Sequence, residues 1–362
     1  MISKALQRNF YGWMLVLPFV LTLLVFFVFA LIRTVSYSFT DYDLFSPANF
    51  VGFDNFINLL NDELFLRATI NTVTFSLVVT VIQTLLALGL AVLLNSKIKG
   101  KTFFRTAFYV PSILSSASVT LIFIWIYQKN GFLNGFISQL VESTPFIVSA
   151  ILCFFILQTV QVIHHRFIGL PTRFFDPLLA IISLLITVLM VYFTNKTGLI
   201  TSTPVAITMN WLGSRDDFGP MPVTLWAITI QNIYTTVPTI MLLFLAGLQM
   251  IPSDLYEAAE IDGANKWQQL RHITVPQLAP VTFVVVTLSI IGTLQMFDQV
   301  ALLGTSSPLE SRITLAYYVY HQAFSDSGTP QIGVSSAAAL ILGALTLMIV
   351  FIQNKFGVKE KS

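Results

Sequence analysis

Reactive side chains are few in this 362-residue chain, and their spacing matches no catalytic or metal-binding pattern. The single cysteine, Cys153, lies in an apolar stretch, where a thiol is expected to be buried and inert. The four histidines do not stand at a zinc-ligand spacing, and neither a P-loop nor a GxGxxG sequence occurs. We therefore expect no enzyme activity, no catalytic residue, and no metal or cofactor bound by this chain.

Uncharged polar side chains with aromatic neighbours offer a different chemistry, the binding of a hydroxyl-rich ligand. They lie on two long apolar stretches, and we assign them to a substrate pathway: Gln231, Asn232, Tyr234, Gln295, Phe297 and Asp298. Amides donate to and accept from hydroxyls, and aromatic rings stack on the apolar faces of sugar rings. The pattern favours an uncharged sugar or polyol, because these stretches hold no lysine or arginine to bind an anion. Polar residues in apolar helices also join helices together, so packing and ligand contact stay open for each residue.

A polar segment, residues 251–280, separates these two stretches and reads IPSDLYEAAEIDGANKWQQLRHITVPQLAP. Asp254 suits the first turn of a helix, and Gly263 permits a positive φ and a change of direction. A second short helix is expected around Trp267. At Pro276 the chain begins its return to the second apolar stretch. The pattern predicts a compact pair of helices that can seat in a groove on a partner. A loop lying on lipid headgroups is the alternative.

This segment resembles the coupling motif of binding-protein-dependent ABC importer permeases, in which EAA is followed at fixed spacing by glycine and by Ile-x-Leu-Pro. The matching residues are Glu257, Ala258, Ala259, Gly263, Ile273 and Pro276, and Val275 replaces the usual leucine. The resemblance implies that this coupling loop (residues 251–280) docks into a cleft on a separate ATPase subunit, with Glu257 as a polar anchor. ATP and magnesium would then be bound by the partner.

The resemblance covers most of the chain apart from residues 141–209. SFTDYDL (38–44) and FVGFDNF (50–56) resemble the first outer loop of sugar-type permeases, and AYYVYHQAF (316–324) resembles the first permease subunit of maltose-type importers. The family implies a second homologous permease subunit, two cytoplasmic ATPase subunits and an extracytoplasmic solute-binding protein. It also implies carbohydrate import by alternating access.

The composition indicates lipid as the solvent, since 55% of the residues are hydrophobic and 10% are charged, against about 25% charged in soluble domains. A membrane helix needs about 20 apolar residues. Eight stretches qualify: 12–32, 70–94, 108–127, 146–163, 178–195, 223–248, 279–303 and 333–353. We therefore expect an all-α integral membrane protein, a helical bundle of about eight transmembrane helices built on the ABC importer permease core. The net charge of +2 and the lack of a basic run argue against nucleic-acid binding.

Loop charges predict the orientation. With a cytoplasmic N-terminus, 13 of the 19 lysines and arginines lie on the cytoplasmic side, as the positive-inside rule requires. An even number of spans returns the C-terminus to the same side. The expected location is the cytoplasmic membrane of a bacterium or archaeon.

The chain divides into five predicted parts: a first span with an outer loop (1–69), the first part of the permease core (70–140), an insertion (141–209), the second part of the core with the coupling loop (210–353), and a cytoplasmic tail (354–362). We interpret the insertion as a transmembrane hairpin, with an interfacial or outer-surface insertion as the alternative.

For the function, the alternatives are a non-sugar solute in the same importer class and a secondary transporter. A secondary transporter would be expected to carry buried ionisable residues inside its spans. The sequence has no ionisable residue at mid-span.

Overall fold

A computed structural model describes residues 13–95, 100–169, 173–200, 205–324 and 328–357. The regular structure is almost entirely helical, apart from one short hairpin, β1 and β2. In chain order the elements are α1 (Trp13–Tyr37), α2 (Asp54–Asn61), α3 (Glu63–Asn95), α4 (Lys101–Ile113), α5 (Ser116–Ile126), α6 (Phe132–Phe167), α7 (Pro177–Lys196), β1 (Asp217–Phe218), β2 (Met221–Pro222), α8 (Val223–Gln249), α9 (Ser253–Ile261), α10 (Lys266–Gln269), α11 (Val275–Gln277), α12 (Ala279–Leu294), α13 (Asp298–Leu303), α14 (Leu309–Arg312), α15 (Leu315–Ala323) and α16 (Ile332–Gly357).

Seven helical segments in the described residues are long and apolar enough to cross a membrane, and the pair α4–α5 makes an eighth if it counts as one span. This confirms the predicted all-α bundle of about eight transmembrane helices. The chain is a multi-pass membrane protein.

The predicted span 108–127 is not one continuous helix. Helices α4 and α5 meet at an angle of 95°. Pro111 lies in the last turn of α4 and lacks the N–H that a continuous helix would use. The Ser115 hydroxyl then accepts a 3.2 Å hydrogen bond from the Ser118 N–H and caps the start of α5. Pro111 near the end of one helix and Ser115 at the start of the next therefore override the apolar pattern.

The predicted span 279–303 is also interrupted. Helix α12 ends at Leu294 and α13 begins at Asp298, with Phe297 at a φ of −128° between them. The Thr314 hydroxyl donates a 2.9 Å hydrogen bond to the carbonyl of Met296, which the break leaves outside a helix. The interruption is thus stabilised by a side chain that lies beyond the predicted span.

Residues 124–211 form a separate compact unit that contains the predicted hairpin. Helices α6 and α7 are antiparallel, because the Gln158 side chain accepts a 2.7 Å hydrogen bond from Ser183, and Cys153 contacts Met190 further along the pair. Gln158 also donates to the carbonyl of Phe174 at 2.5 Å, so its buried amide is paired on both sides. These contacts hold α6 and α7 together as a helical hairpin.

The hairpin differs from the prediction in length. Helix α6 begins at Phe132 rather than at residue 146 and has 36 residues, which gives about 54 Å at 1.5 Å per residue. A bilayer core is about 30 Å thick, so only part of α6 fits inside it. That the pair crosses the membrane stays a prediction.

The larger unit contains the other described helices, and its core lies where α3 packs along α8. Small residues on α3, such as Ala87 and Ala91, face large ones on α8, such as Met241 and Phe244. Gly247 permits an equally close approach to α12, because a Cβ there would lie 2.8 Å from the Val281 side chain. Helix α8 is therefore packed tightly against both α3 and α12.

The first outer loop is tied to the start of α16. Asn55 donates hydrogen bonds of 2.9 and 2.8 Å to the carbonyls of Ser38 and Thr40. Gly333 lies against the same segment, and a Cβ there would be 2.0 Å from the Thr40 carbonyl oxygen. Its N–H also donates to the Tyr42 carbonyl at 3.0 Å. We call this set of contacts the outer lock.

Candidate functional site

A cavity of about 390 Å³ lies in the larger unit, between α3, the bend of α4 and α5, and the helices α8, α12 and α13. Its volume is in the range of small-molecule sites, about 300 to 1,000 Å³. The polar side chains that line it are Gln83, Ser112, Ser116, Gln231, Asn232, Thr235, Thr236, Thr239, Ser289, Thr293 and Gln299. Among the described lining residues none is charged, so the cavity favours a neutral ligand with many hydrogen-bonding groups.

Hydrogen bonds between helices hold the cavity amides in place. Gln231 donates to the Thr120 hydroxyl at 2.6 Å, and the Thr236 hydroxyl donates to the side-chain oxygen of Gln83 at 2.7 Å. Asn232 donates to the side-chain oxygen of Gln299 at 3.3 Å. These bonds connect α8 to α5, α3 and α13, and they fix where the amides present their remaining donors and acceptors.

Two lining groups are buried without a hydrogen-bond partner among the described residues. They are the side-chain oxygen of Asn232 and the hydroxyl of Ser289. A buried polar group without a partner is destabilising by about 1 to 3 kcal/mol. Ligand hydroxyls or water would remove this penalty, so both atoms are suited to contact a polar solute.

The cavity brings together two of the six predicted pathway residues, Gln231 and Asn232, which are both buried. Tyr234 follows them on α8 but does not line the cavity. Its ring is half-exposed and lies 5.6 Å from the ring of Phe123. The helical turn thus separates Tyr234 from its two neighbours in sequence.

The other three predicted residues follow the end of α12, outside the cavity lining. Gln295 and Asp298 are exposed. Phe297 is half-buried, and its ring centroid lies 5.2 Å from that of Tyr320 on α15. Phe297 is nevertheless close to the cavity along the chain, because Thr293 and Gln299 on either side of it are lining residues.

Sequence reasoning missed several lining residues, among them Gln83 and Gln299. A signal was present for Gln83, since an uncharged amide in the middle of an apolar stretch is uncommon. Ser112 and Ser116 are not among the predicted pathway residues, yet both line the cavity at the bend between α4 and α5. That bend could not be read from hydropathy.

The coupling loop has the predicted form of two short helices joined by a glycine. Helix α9 carries Asp254 in its first turn, and Gly263 follows it with a φ of +78°. Helix α10 begins with a capping box between Asn265 and Gln268, in which each side chain bonds the backbone of the other. The prediction that Gly263 adopts a positive φ is confirmed.

An ion pair closes the turn around Gly263. The Lys266 ammonium contacts the Glu260 carboxylate, and their hydrogen bond and opposite charges hold the pKa of Glu260 below its ordinary value. The hydroxyls of Tyr256 and Thr274 lie 2.9 Å apart and join α9 to the segment before α11. Two contacts thus stabilise the coupling loop, the ion pair around Gly263 and the hydroxyl pair between Tyr256 and Thr274.

The loop presents its motif residues to the surface. Glu257, Ala258 and Pro276 are exposed. Ala259, Gly263 and Ile273 line one shallow recess.

Two large apolar side chains beside the motif add to this surface. Ile261 is 87% exposed and Trp267 is 70% exposed. The surface of the coupling loop therefore carries large apolar groups beside the charged turn of Glu260 and Lys266.

Comparison with known proteins shows the family to which the chain belongs. Residues 83–357 match the family described as "Binding-protein-dependent transport system inner membrane component". The chain is 30% identical to the multiple sugar-binding transport system permease protein MsmF of Streptococcus mutans, with 99% of each chain covered. It is 28% identical to the trehalose/maltose transport system permease protein MalF of Thermococcus litoralis, covering 96% of this chain and 93% of that protein.

The fold also matches a solved structure. A chain of a bacterial alginate ABC transporter, in complex with an alginate pentasaccharide-bound periplasmic protein, superposes with a TM-score of 0.67 at 20% identity. The match covers 97% of this chain and 95% of that one, and it shows a shared fold. With the family match over most of its length, the chain belongs to the binding-protein-dependent transport system inner membrane components.

Proposed function

We propose that this protein is a permease subunit of an ABC importer and that it carries an uncharged sugar or a short oligomer of one. The observation that carries the sugar assignment is the cavity, whose described lining offers amides and hydroxyls without a charge. The names of the relatives, for multiple sugars and for trehalose and maltose, support the same class.

Asn232 and Ser289 contact the solute first in this proposal, because their buried oxygens have no partner within the described residues. Gln231 adds a second amide whose position is fixed by Thr120. An amide offers both a donor and an acceptor to a sugar hydroxyl. A sugar lacking one of the matched hydroxyls would leave a buried amide unpaired, so the site discriminates by hydroxyl pattern.

The coupling loop docks on an ATPase subunit in this proposal. ATP and magnesium belong to that partner, since the chain has no P-loop. Glu257 anchors the contact, and the exposed Ile261 and Trp267 bury apolar area in it. The complete importer has a second homologous permease subunit, two ATPase subunits and a binding protein that delivers the sugar from outside. Both termini of this chain and the coupling loop lie in the cytoplasm.

The position of the coupling loop explains how ATP-driven motion reaches the cavity. The loop leaves α8 and returns into α12, and both of these helices carry cavity residues. Leu278, at the end of the loop, is buried in the same core cluster as Met241 and Phe244 of α8. A displacement of the loop therefore moves both walls of the cavity, which is what alternating access between the two sides requires.

Uptake into proteoliposomes tests the proposal. The complete importer, with its binding protein, is compared on sugars, amino acids and phosphate esters. We expect sugar uptake, and we expect Gln231→Ala to lower it about tenfold through the loss of one to two hydrogen bonds. Ile230→Ala is the matched control, because Ile230 is the preceding residue, is 49% exposed and does not line the cavity. Preference for a charged amino acid or peptide would show the sugar assignment to be wrong.

A further inference from the structure

Four aromatic rings form a continuous row beside the cavity. The ring of Phe297 lies 6.2 Å from Tyr317 and 5.2 Å from Tyr320, and Tyr320 lies 5.2 Å from Phe324. We call these four residues the rim platform. Phe297 is on the segment between two cavity-lining residues, Thr293 and Gln299, so the row begins close to the cavity along the chain and continues along α15.

Arg312 and Thr314 hold the rim platform in place. The buried Arg312 places its guanidinium 4.7 Å from the centre of the Tyr317 ring, a cation–π contact. Arg312 is itself fixed by a 2.8 Å hydrogen bond to the Val300 carbonyl, and it forms no ion pair within the described part of the chain. Thr314 caps α15 and bonds the carbonyl of Met296, next to Phe297. The Thr314 side chain thus joins the start of α15 to the segment that carries Phe297.

The outer face of the rim platform is open. Tyr320 is 44% exposed and Phe324 is 63% exposed. Gln295 and Asp298, on either side of Phe297, are exposed as well. Rings interleaved with an amide, a carboxylate and phenol hydroxyls suit a sugar, which presents C–H groups on its ring faces and hydroxyls around its edge. A lipid-facing surface would not carry Asp298, because a charge in lipid is strongly unfavourable.

We propose that the rim platform is a second sugar-contacting site, which stacks the outer unit of an oligosaccharide whose inner unit occupies the cavity. This rests on the proposed function, and it adds a preference for chain length. A monosaccharide in the cavity does not reach the platform. An oligosaccharide reaches both sites and gains the stacking contact.

The test compares a monosaccharide with oligosaccharides of the same sugar, using the complete importer in proteoliposomes at a subsaturating concentration of loaded binding protein. The platform variants are Tyr320→Leu and Phe324→Leu. The controls are Tyr192→Leu and Phe193→Leu, because these two rings on α7 are 64% and 63% exposed and lie outside the platform. Tyr320→Phe keeps the ring and should behave almost as the unchanged protein.

We expect each platform variant to lower oligosaccharide uptake about fivefold, in line with the loss of one aromatic contact, and to leave monosaccharide uptake unchanged. Equal behaviour of platform and control variants at every chain length would overturn the proposal. So would a loss for all sugars together with weaker co-purification of the second permease subunit, since that result assigns the rings to an interface. If the importer takes up no sugar, or if Gln231→Ala has no effect, the proposed function itself fails. If Gln231→Ala lowers uptake and the platform variants do not, only the rim platform proposal is lost.

Discussion

The side-chain amide of Gln231 donates a 2.6 Å hydrogen bond to the hydroxyl of Thr120, and both residues are buried. This bond connects α8 to α5 at the wall of the cavity. The Thr120 hydroxyl in turn donates to the Ser116 carbonyl at 2.8 Å. The amide that we assign to the sugar is therefore oriented by the short helix that follows the bend.

A double-mutant cycle measures this orientation. Thr120→Val should lower sugar uptake about threefold, because a hydrogen bond of about 1 kcal/mol no longer fixes the Gln231 amide. In the Gln231→Ala background the same change should have almost no further effect. Additive losses would show that Thr120 acts on uptake independently of Gln231.

The coupling loop predicts a conformational dependence at Gly263. Gly263→Val should abolish transport and weaken association with the ATPase, because a β-branched residue is strongly disfavoured at a φ of +78°. Gly263→Asn should keep most of the activity, since asparagine tolerates the left-handed region. Apart from its neighbours in the chain, none of the described residues has an atom within 4 Å of an added Cβ there, so the contrast reports backbone conformation rather than a clash. Equal activity of both variants would contradict the role of this turn.

Glu257→Ala should weaken association with the ATPase while the permease is still inserted, because it removes the proposed charge-assisted contact. Glu260→Ala is the control within the same helix, since Glu260 is already paired with Lys266. Surface ion pairs of that kind contribute about 0 to 1 kcal/mol. Co-purification of the ATPase with each variant gives the comparison. If Glu260→Ala weakens co-purification of the ATPase more than Glu257→Ala does, the anchor is Glu260 and not Glu257.

The outer lock predicts a large effect at Gly333. Gly333→Ala should be destabilising by about 2 kcal/mol or more, because the new methyl group would overlap the Thr40 carbonyl and force α16 away. Gly343→Ala, in the same helix, meets no atom within 4 Å and should be neutral or slightly stabilising. Thermal unfolding of the two purified variants in detergent provides the measurement. Equal melting temperatures of the two variants would contradict this prediction, because they would mean that the first outer loop accommodates the methyl group at Gly333 without a loss of stability.

The hairpin predicts where its ends lie. In a Cys153→Ser background, Phe167→Cys should react only with a reagent that reaches the cytoplasmic side, and Leu199→Cys only from outside. The two positions are 92% and 74% exposed, so each cysteine is accessible from its own side. Labelling of both from outside would place the hairpin on the outer surface.

The apolar pattern predicted the number of helices well, since burial in lipid requires every span to be long and apolar. It failed where polar side chains decide the local geometry. Ser115 caps α5, and the Thr314 hydroxyl donates to the Met296 carbonyl. Both effects depend on single hydrogen bonds that a hydropathy average over about 20 residues does not detect. The boundary of α6 was missed because its first part is less apolar and contains Pro145, which nevertheless lies inside the helix.

The candidate site was predictable only in part for a related reason. Gln231 and Asn232 stand out as amides within an apolar stretch, and the cavity contains both. Their partners Thr120 and Gln299 lie far away in the sequence, and pairing across such distances follows from the packing of helices. The left-handed turn at Gly263 was readable because the requirement for glycine is local.

The outer lock has a consequence for the order in which the protein is made. Residues 38–55 leave the ribosome early, yet Gly333, against which they pack, is synthesised near the end of the chain. Contacts of such long sequence separation form late in folding. The first outer loop must therefore wait in an unlocked state until α16 inserts, with the Tyr42 carbonyl lacking its Gly333 partner. Chains that stop before α16 never complete this closure.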